Sequence, residues 1–559
     1  MTQPPPPRPP NEPPSPQGEF GAPPPMPPYT TPGYGTLRTP LPPEARTRLG
    51  QQPYGQDQYG QDQYERLQRE QSQYEQAQQG RPQSPARRRV PPIALVIGAA
   101  VVALALIVGG GFLYASTSGD DPTAGSTGSD KDGDGLGGSG AEQAPADPSA
   151  RVTLRLPAPK VAKRQVDSVQ GSWLTDRTYA KAGVNQLVGY DAASGRKTWT
   201  LPLSGQTCAG TDTVTDDALA AVVSEAGKRP ADGDHRPCSQ ITVFDVNTGH
   251  KLWTQSLGQG SNRRIFEELS LSGNTLAAGG GLDGGAAFDV KSGSILWQPD
   301  TGECQDLGYH GGAQLVTVRK CGTYGKHATY DVQLLDPVTG QPKWSYKLAK
   351  GLDNVKVLST KPVVFGVGKG VDAADTITDV FALDGRGRLA SRIAIDPKKY
   401  DFACEVGKTE GCAKITVGSG RIYFATPPPE ADAGAGRSNE IVSYSLETGK
   451  RTGDRVTGGA HHDIFPVRMD GGNLLAFKTG SADKGSRIVT IDPRTMKQST
   501  LVETPATPAV REMITGLAPG RSNSELRYSK GRLFLAQPLI GEPYADGGKR
   551  YTAVGFGTG

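Results

Sequence analysis

Cysteine is scarce in this 559-residue chain, with six residues in all and none before Cys208. The lack of an early cysteine excludes a lipid-modified lipoprotein cysteine. No C-x-x-C pair occurs, which excludes the usual spacing of zinc sites and of c-type haem attachment. No kinase motif precedes residue 93, so a kinase domain is excluded there. The formal net charge of only +4 gives no electrostatic reason to expect nucleic acid as a partner.

Proline dominates the first part of the chain. Residues 1–92 carry half of the 46 prolines and no tryptophan, and residues 54–79 form a low-complexity Gln/Tyr stretch. Proline favours extended polyproline II, and a segment with so few aliphatic residues cannot offset its ordering entropy. We expect a disordered tail over 1–92, either a solvated spacer or a docking segment for proline-recognising or self-associating partners.

Residues 93–115 form an uncharged apolar run. At 1.5 Å per residue a helix of this length crosses the hydrocarbon core of a membrane. Arg87, Arg88 and Arg89 precede the run and Asp120 and Asp121 follow it, so the positive-inside rule places the N-terminus in the cytoplasm. The sequence thus predicts a single-pass protein of the cell membrane with an uncleaved signal anchor. Residues 116–150 are rich in Gly, Ser and Asp and predict a flexible linker to an extracytoplasmic part.

From residue 151 the chain repeats itself every 44 to 65 residues. The recurring unit is an apolar strand, an Asp, a Gly four residues later and a Trp four residues after that. The Asp can close an Asx turn, the Gly can take positive φ, and the Trp can pack between neighbouring sheets. The complete copies contain Asp191, Gly195 and Trp199; Asp245, Gly249 and Trp253; Asp289, Gly293 and Trp297; and Asp336, Gly340 and Trp344. Weaker copies follow at Asp384, Ser445, Asp492 and Gly557.

This pattern resembles the PQQ-like β-propeller repeat of the quinoprotein dehydrogenase-like family, D-x-x-T-G-x-x-x-W. Both the period and the resemblance imply an all-β fold over 151–559, an eight-bladed β-propeller with seven blades as the alternative. No outer strand follows the eighth turn, so residues 152–157 are expected to complete the last blade. No convincing helical pattern appears after residue 151.

The six cysteines lie in the part predicted to be extracytoplasmic, where an even number suggests disulfides. Pairing sequence neighbours gives Cys208–Cys238, Cys304–Cys321 and Cys404–Cys412, one of fifteen possible connectivities. His461, His462 and Asp463 are the densest group of possible metal ligands. Adjacent strand residues point to opposite faces, so we interpret this group as a solvated loop or strand edge.

Three functions are compatible with this organisation. The first is a non-catalytic binding or scaffold module for an envelope protein or cell-wall ligand at a propeller face, with no catalytic residues, metal or cofactor. The second is a PQQ-dependent dehydrogenase using calcium, although the adjacent-cysteine disulfide and haem domain of such enzymes are missing. The third is a sensor that signals through the cytoplasmic tail. The longest repeat spacings place the most elaborate loops at 400–440 and 503–530, where a partner is expected.

Overall fold

The structure is a computed structural model that describes residues 142–162, 165–230, 233–299, 302–322, 328–369, 376–428, 438–542 and 549–558. The predicted tail and membrane span lie outside these residues, as does most of the predicted linker. Within the described ranges, no helix is both long enough and apolar enough to cross a membrane.

The described residues form eight four-stranded antiparallel sheets, which confirms the eight-bladed propeller. Blade 1 comprises β3 (Ser172–Leu174), β4 (Thr178–Gly183), β5 (Gln186–Asp191) and β6 (Lys197–Pro202), and blade 2 comprises β7 (Thr207–Gly210), β8 (Leu219–Glu225), β9 (Cys238–Asp245) and β10 (Lys251–Gln255). Blade 3 comprises β11 (Glu268–Ser272), β12 (Thr275–Gly279), β13 (Gly285–Asp289) and β14 (Ile295–Trp297), and blade 4 comprises β15 (Cys304–His310), β16 (Leu315–Cys321), β17 (Thr329–Leu335) and β18 (Pro342–Lys347).

Blade 5 comprises β19 (Leu352–Thr360), β20 (Val363–Lys369), β21 (Asp379–Leu383) and β22 (Leu389–Ala394), and blade 6 comprises β25 (Ile415–Gly418), β26 (Arg421–Ala425), β27 (Glu440–Ser445) and β28 (Arg451–Thr457). Blade 7 comprises β29 (Ile464–Asp470), β30 (Asn473–Lys478), β31 (Arg487–Ile491) and β32 (Gln498–Glu503), and blade 8 comprises β33 (Glu525–Ser529), β34 (Arg532–Ala536), β36 (Tyr551–Gly557) and β1 (Arg151–Pro157). Two short pairs lie outside the blades: β2 (Val166–Ser168) with β35 (Leu539–Gly541), and β23 (Ala403–Cys404) with β24 (Cys412–Ala413).

The ring is closed by its N-terminal strand, as the sequence predicted. β1 pairs antiparallel with β36, the third strand of blade 8, and Leu154 is buried in one apolar cluster with Tyr179 of blade 1 and Phe534 of blade 8. Upstream of β1, the backbone amide of Ala150 donates to the carbonyl of Glu503 at 2.8 Å. The end of the predicted linker therefore lies against blade 7.

The repeat residues join neighbouring blades. Asp245 closes its turn by accepting from the amides of Asn247 and Thr248 at 2.7 and 3.1 Å. Gly249 has φ +72°, and a Cβ there would lie 2.5 Å from the Trp199 ring of the preceding blade. The Trp199 indole donates to the carbonyl of Val246 at 3.2 Å. Only glycine permits this approach, so Gly and Trp form one inter-blade contact.

Successive connections alternate between two faces, because every sheet is an antiparallel meander. The turns that join first to second and third to fourth strands lie on one face, here called the turn face. The loops that join second to third strands, and one blade to the next, lie on the other, the crossover face. The insertions Ala403–Ala413, Pro508–Leu517 and β2–β35 all belong to crossover-face loops.

The expectation of no helix beyond residue 151 is wrong. Helix α1 (Pro508–Leu517) begins after Thr507, whose hydroxyl accepts from the Val510 amide at 3.3 Å, and Pro508 occupies its first turn. Its buried residues Val510, Met513, Ile514 and Leu517 have helical spacing and pack into the core of blades 7 and 8. The helix has only ten residues, and Pro505 before it and Pro508 in its first turn hide it among loop signals. Three short 3-10 turns, Gly260–Asn262, Gly281–Asp283 and Pro397–Lys399, complete the regular structure described.

Candidate functional site

The innermost strands of the blades surround a central channel. Two cavities of about 200 and 170 Å³ lie along it, the first toward the crossover face and the second deeper. Both are lined by Asp212, Leu269 and Glu410, which come from blade 2, blade 3 and the loop that enters blade 6. Residues far apart in sequence therefore share one axial site.

A disulfide-closed loop, residues 405–411 between β23 and β24, enters this channel and is here called the plug. Cys404 and Cys412 join its two ends. The Thr409 hydroxyl donates to Glu268 Oε2 on β11 at 2.6 Å, and the Thr409 amide donates to Glu268 Oε1. On β19, the Val357 amide donates to the Thr409 carbonyl at 2.8 Å. The tip of the plug is thus fixed to the inner strands of blades 3 and 5.

Further polar contacts satisfy the rest of the plug. Lys356 Nζ donates to the backbone carbonyls of Glu405 and Lys408. The Glu410 carboxylate accepts from the Ser270 hydroxyl at 3.1 Å and lies 3.5 Å from His310 Nδ1 of blade 4. A loop that would otherwise bury unpaired backbone groups is therefore held by side chains of three blades.

Burial dominates the electrostatics of the plug contacts. It raises the pKa of Glu268 to about 7, although the Thr409 hydrogen bonds and the nearby lysines act in the opposite direction. Burial also raises the pKa of Glu410 well above its usual range, and the Asp212 and Glu268 carboxylates raise it further. Burial lowers the pKa of Lys356. The channel therefore contains acidic groups that hold protons at a pH where exposed carboxyls are ionised.

A second buried network borders the first cavity where blades 8 and 1 meet. Lys181 Nζ lies 3.1 Å from Glu525 Oε2, and the Gly171 amide donates to Glu525 Oε1 at 2.8 Å. Arg527 Nε donates to the Ser172 carbonyl at 2.9 Å. Although burial opposes it, Lys181 and Arg527 together lower the pKa of Glu525. This part of the wall carries opposite charges that neutralise each other.

The sequence-predicted residues lie in three places. The repeat Asp, Gly and Trp residues form turns and blade contacts away from the channel. The three disulfides join the cysteines as the sequence suggested: Cys208–Cys238 within blade 2, Cys304–Cys321 within blade 4 and Cys404–Cys412 at the plug. The interpretation of the histidine pair as solvated holds for exposed His461 but is wrong for His462, which is 7% exposed. Among the described residues, no three His, Cys, Asp or Glu side chains are grouped to hold a metal ion.

Sequence reasoning missed Glu268, Lys356 and Thr409, the residues that hold the plug. Glu268 and Thr409 are 141 residues apart, so no local spacing relates them. The one available signal was a charged residue in an otherwise buried inner strand, at Glu268, Lys356 and Arg527. Such a residue requires a partner, which the sequence alone does not identify.

Comparison with known proteins gives one family. The model of the outer membrane protein assembly factor BamB matches residues 161–303 and 238–465, which together span more than half of the chain. No curated protein sequence gives a significant match.

Similar solved structures include BamB from Moraxella catarrhalis, at 12% identity and a TM-score of 0.35, covering 71% of this chain and 96% of that one. They also include the quinohemoprotein alcohol dehydrogenases from Pseudomonas putida, at 12% identity and 0.40, with 73% and 75% coverage, and from Comamonas testosteroni, at 12% and 0.38, with 75% and 76%. The repeat, the eight blades and the family match agree, and the chain therefore belongs to the PQQ-like β-propeller family represented by the assembly factor BamB.

Proposed function

We propose that the chain is a non-catalytic binding module whose crossover face contacts an envelope protein or ligand outside the cytoplasm. The observation that carries this proposal is the plug. The channel, where a propeller would hold a small molecule, is occupied by the chain's own disulfide-closed loop, and Glu268, Lys356 and Ser270 are committed to holding it.

The residues of the channel do not fit PQQ with calcium. The two cavities of about 200 and 170 Å³ are each smaller than the roughly 300–1,000 Å³ of small-molecule sites. Most of the cations that line the first cavity are already paired with carboxylates: Lys408 with Glu405 at 2.6 Å, Lys414 with Asp401 at 2.7 Å and Arg527 with Asp212 at 3.5 Å. The cysteines described are bonded to partners 8, 17 and 30 residues away, and none is bonded to its sequence neighbour.

The crossover face offers the surface for a partner. Its loops carry the plug, α1 and the β2–β35 ribbon, whereas the turn face has mostly short, regular turns. Val406 on the plug is 66% exposed, and Val166 and Leu539 on the ribbon are 49% and 43% exposed. Loops of this kind carry recognition on rigid β scaffolds. The three disulfides support an oxidising location outside the cytoplasm, and the family description as an assembly factor agrees with a binding role.

Photo-crosslinking tests the proposed face. A photoreactive amino acid is placed at Val406 on the plug, or at Val338 on the turn face, as a matched control of 63% exposure. In the living host, we expect one discrete crosslinked product from position 406 and none from position 338. Products from position 338 alone would contradict the choice of face.

The catalytic alternative has a separate test. Purified full-length chain is incubated with PQQ and calcium, and reduction of an artificial dye by alcohols or sugars is followed. We expect no reduction above the background of the chain without cofactor. Saturable reduction that requires both PQQ and calcium would refute the non-catalytic proposal.

A further inference from the structure

A group of cationic side chains lies at the crossover-face end of blade 7. Lys478 is the last residue of β30 and Arg487 the first of β31, and the two are direct partners in the strand register. Lys484 lies in the loop between them, and His462 lies just before β29. Lys478, Lys484 and Arg487 are here called the blade 7 cation cluster.

His462 fixes the position of Arg487. Its Nδ1 lies 2.6 Å from the Thr479 carbonyl, which can only accept, so Nδ1 carries a proton. Its Nε2 then accepts from Arg487 Nη2 at 3.0 Å. Burial lowers the pKa of His462, and Arg487, Lys478 and Lys484 lower it further. The neutral imidazole therefore orients the guanidinium without adding charge.

No carboxylate within the described residues forms an ion pair with this cluster. Asp483 accepts from the Ser481 hydroxyl at 2.7 Å. Glu503, opposite Arg487 on β32, accepts from the Gly485 amide at 3.3 Å. Asp463 Oδ1 is buried without a hydrogen-bond partner. These three carboxylates make no salt bridge with the cluster, although Asp483 attracts Lys484 and Glu503 lies directly opposite Arg487.

The unpaired arrangement is energetically unfavourable as it stands. Arg487 Nε is buried without an acceptor, and a buried unsatisfied donor costs about 1–3 kcal/mol. Like charges placed directly opposite on neighbouring strands repel. Burial lowers the pKa of Lys478, and Arg487 and Lys484 lower it further. A bound anion would offset the repulsion among Lys478, Lys484 and Arg487.

We propose that the blade 7 cation cluster binds a phosphate group. Three cationic side chains converge, and at neutral pH phosphate carries about −1.5 to −2, against −1 for a carboxylate. Arg487, held by His462, presents its remaining donors in the planar fork that matches a tetrahedral oxyanion. Lys478 and Lys484 supply the balancing charge. This inference deepens the proposed binding role by naming one ligand class on the crossover face.

Calorimetric titration of the full-length chain with inorganic phosphate, at constant ionic strength, tests the site. We expect saturable binding to one site, with acetate binding at least tenfold more weakly. Arg487→Gln should weaken phosphate binding at least tenfold. Arg494→Gln is the matched control in the same blade, because Arg494 is 87% exposed on the turn face, and it should stay within twofold of the unmodified chain.

Lys484 is exposed, so Lys484→Gln tests the site without disturbing the fold, and we expect threefold to tenfold weaker binding. The proposal is overturned if phosphate does not saturate, if acetate binds equally well, or if the substitutions at 484 and 494 have equal effects. The titration needs no protein partner. If the titration detects no phosphate binding, the crosslinking at Val406 still tests the proposed face. If no crosslinked product forms, the titration still tests phosphate binding.

Discussion

Replacing Glu268 with glutamine should change how the stability of the propeller depends on pH. Burial raises the pKa of this carboxyl to about 7, from 4.5 in the unfolded chain. Between these values the folded state holds a proton that the unfolded state has released. The stability that this protonation contributes is fully present below pH 4.5 and is lost as the pH rises through 7. Glutamine keeps the acceptor for the Thr409 amide, can donate to the Thr409 hydroxyl, and does not titrate.

The size of the effect follows from the two pKa values. One pKa unit corresponds to about 1.4 kcal/mol, so the full difference is worth about 3.5 kcal/mol. We therefore expect Glu268→Gln to gain about 2 to 3 kcal/mol of stability relative to the unmodified chain between pH 5 and pH 8.

Urea unfolding of both full-length chains at intervals from pH 5 to 8 measures this difference. Comparing the two chains cancels the titration of all other groups that do not interact with Glu268. Glu267→Gln, which removes a carboxylate from the exposed neighbouring position, controls for the loss of one charge. A stability difference between the unmodified chain and Glu268→Gln that stays constant across the range would refute the assignment of a buried, protonated carboxyl at the plug.

Three further predictions concern the ring and its plug. Leu154→Ala should cost about 2–5 kcal/mol in urea unfolding, because Leu154 is buried where β1 closes the ring; a cost below 1 kcal/mol would contradict closure by this strand. Trp253→Phe should cost about 1 kcal/mol more than Trp344→Phe, since the Trp253 indole donates to a carbonyl of the next blade at 2.9 Å whereas the Trp344 indole has no acceptor; equal costs would contradict that contact. Replacing both Cys404 and Cys412 with serine should make plug opening easier by about 2–3 kcal/mol, seen as roughly 30- to 150-fold faster amide exchange across 405–411; unchanged exchange would show that contacts alone hold the plug.

The fold was accessible from the sequence because its determinants are local and repeated. Asp245 and Gly249 lie within one turn, and Trp253 returns on the next strand, so each unit displays its own geometry. The closure by β1 followed from the same periodicity, whereas the disulfide pairing followed from joining sequence neighbours, one of fifteen possible connectivities. Helix α1 has its cap and apolar spacing within a short segment, but its length of ten residues and the prolines at its start concealed the pattern.

The channel could not be predicted in the same way. Glu268 and Thr409 meet only because the ring brings blade 3 opposite the loop that enters blade 6, and nothing near either residue specifies that contact. The cation cluster of blade 7 shows the same limitation on a smaller scale. Its strands were visible, yet the register that places Lys478 beside Arg487, and the burial of His462 beneath them, depend on the folded sheet.

The plug explains why Lys356 and Glu268 are tolerated on the inner strands of this propeller. A buried lysine or glutamate without a partner is strongly destabilising, and Lys356 and Glu268 acquire their partners only from residues 405–411. The loop is therefore part of the packed interior and also presents Val406 to solvent at the crossover face. A partner that binds there would contact an element anchored to blades 3, 4 and 5 at once. Because those anchors include Glu268, whose pKa is about 7, the rigidity of that surface should itself vary with pH near neutrality.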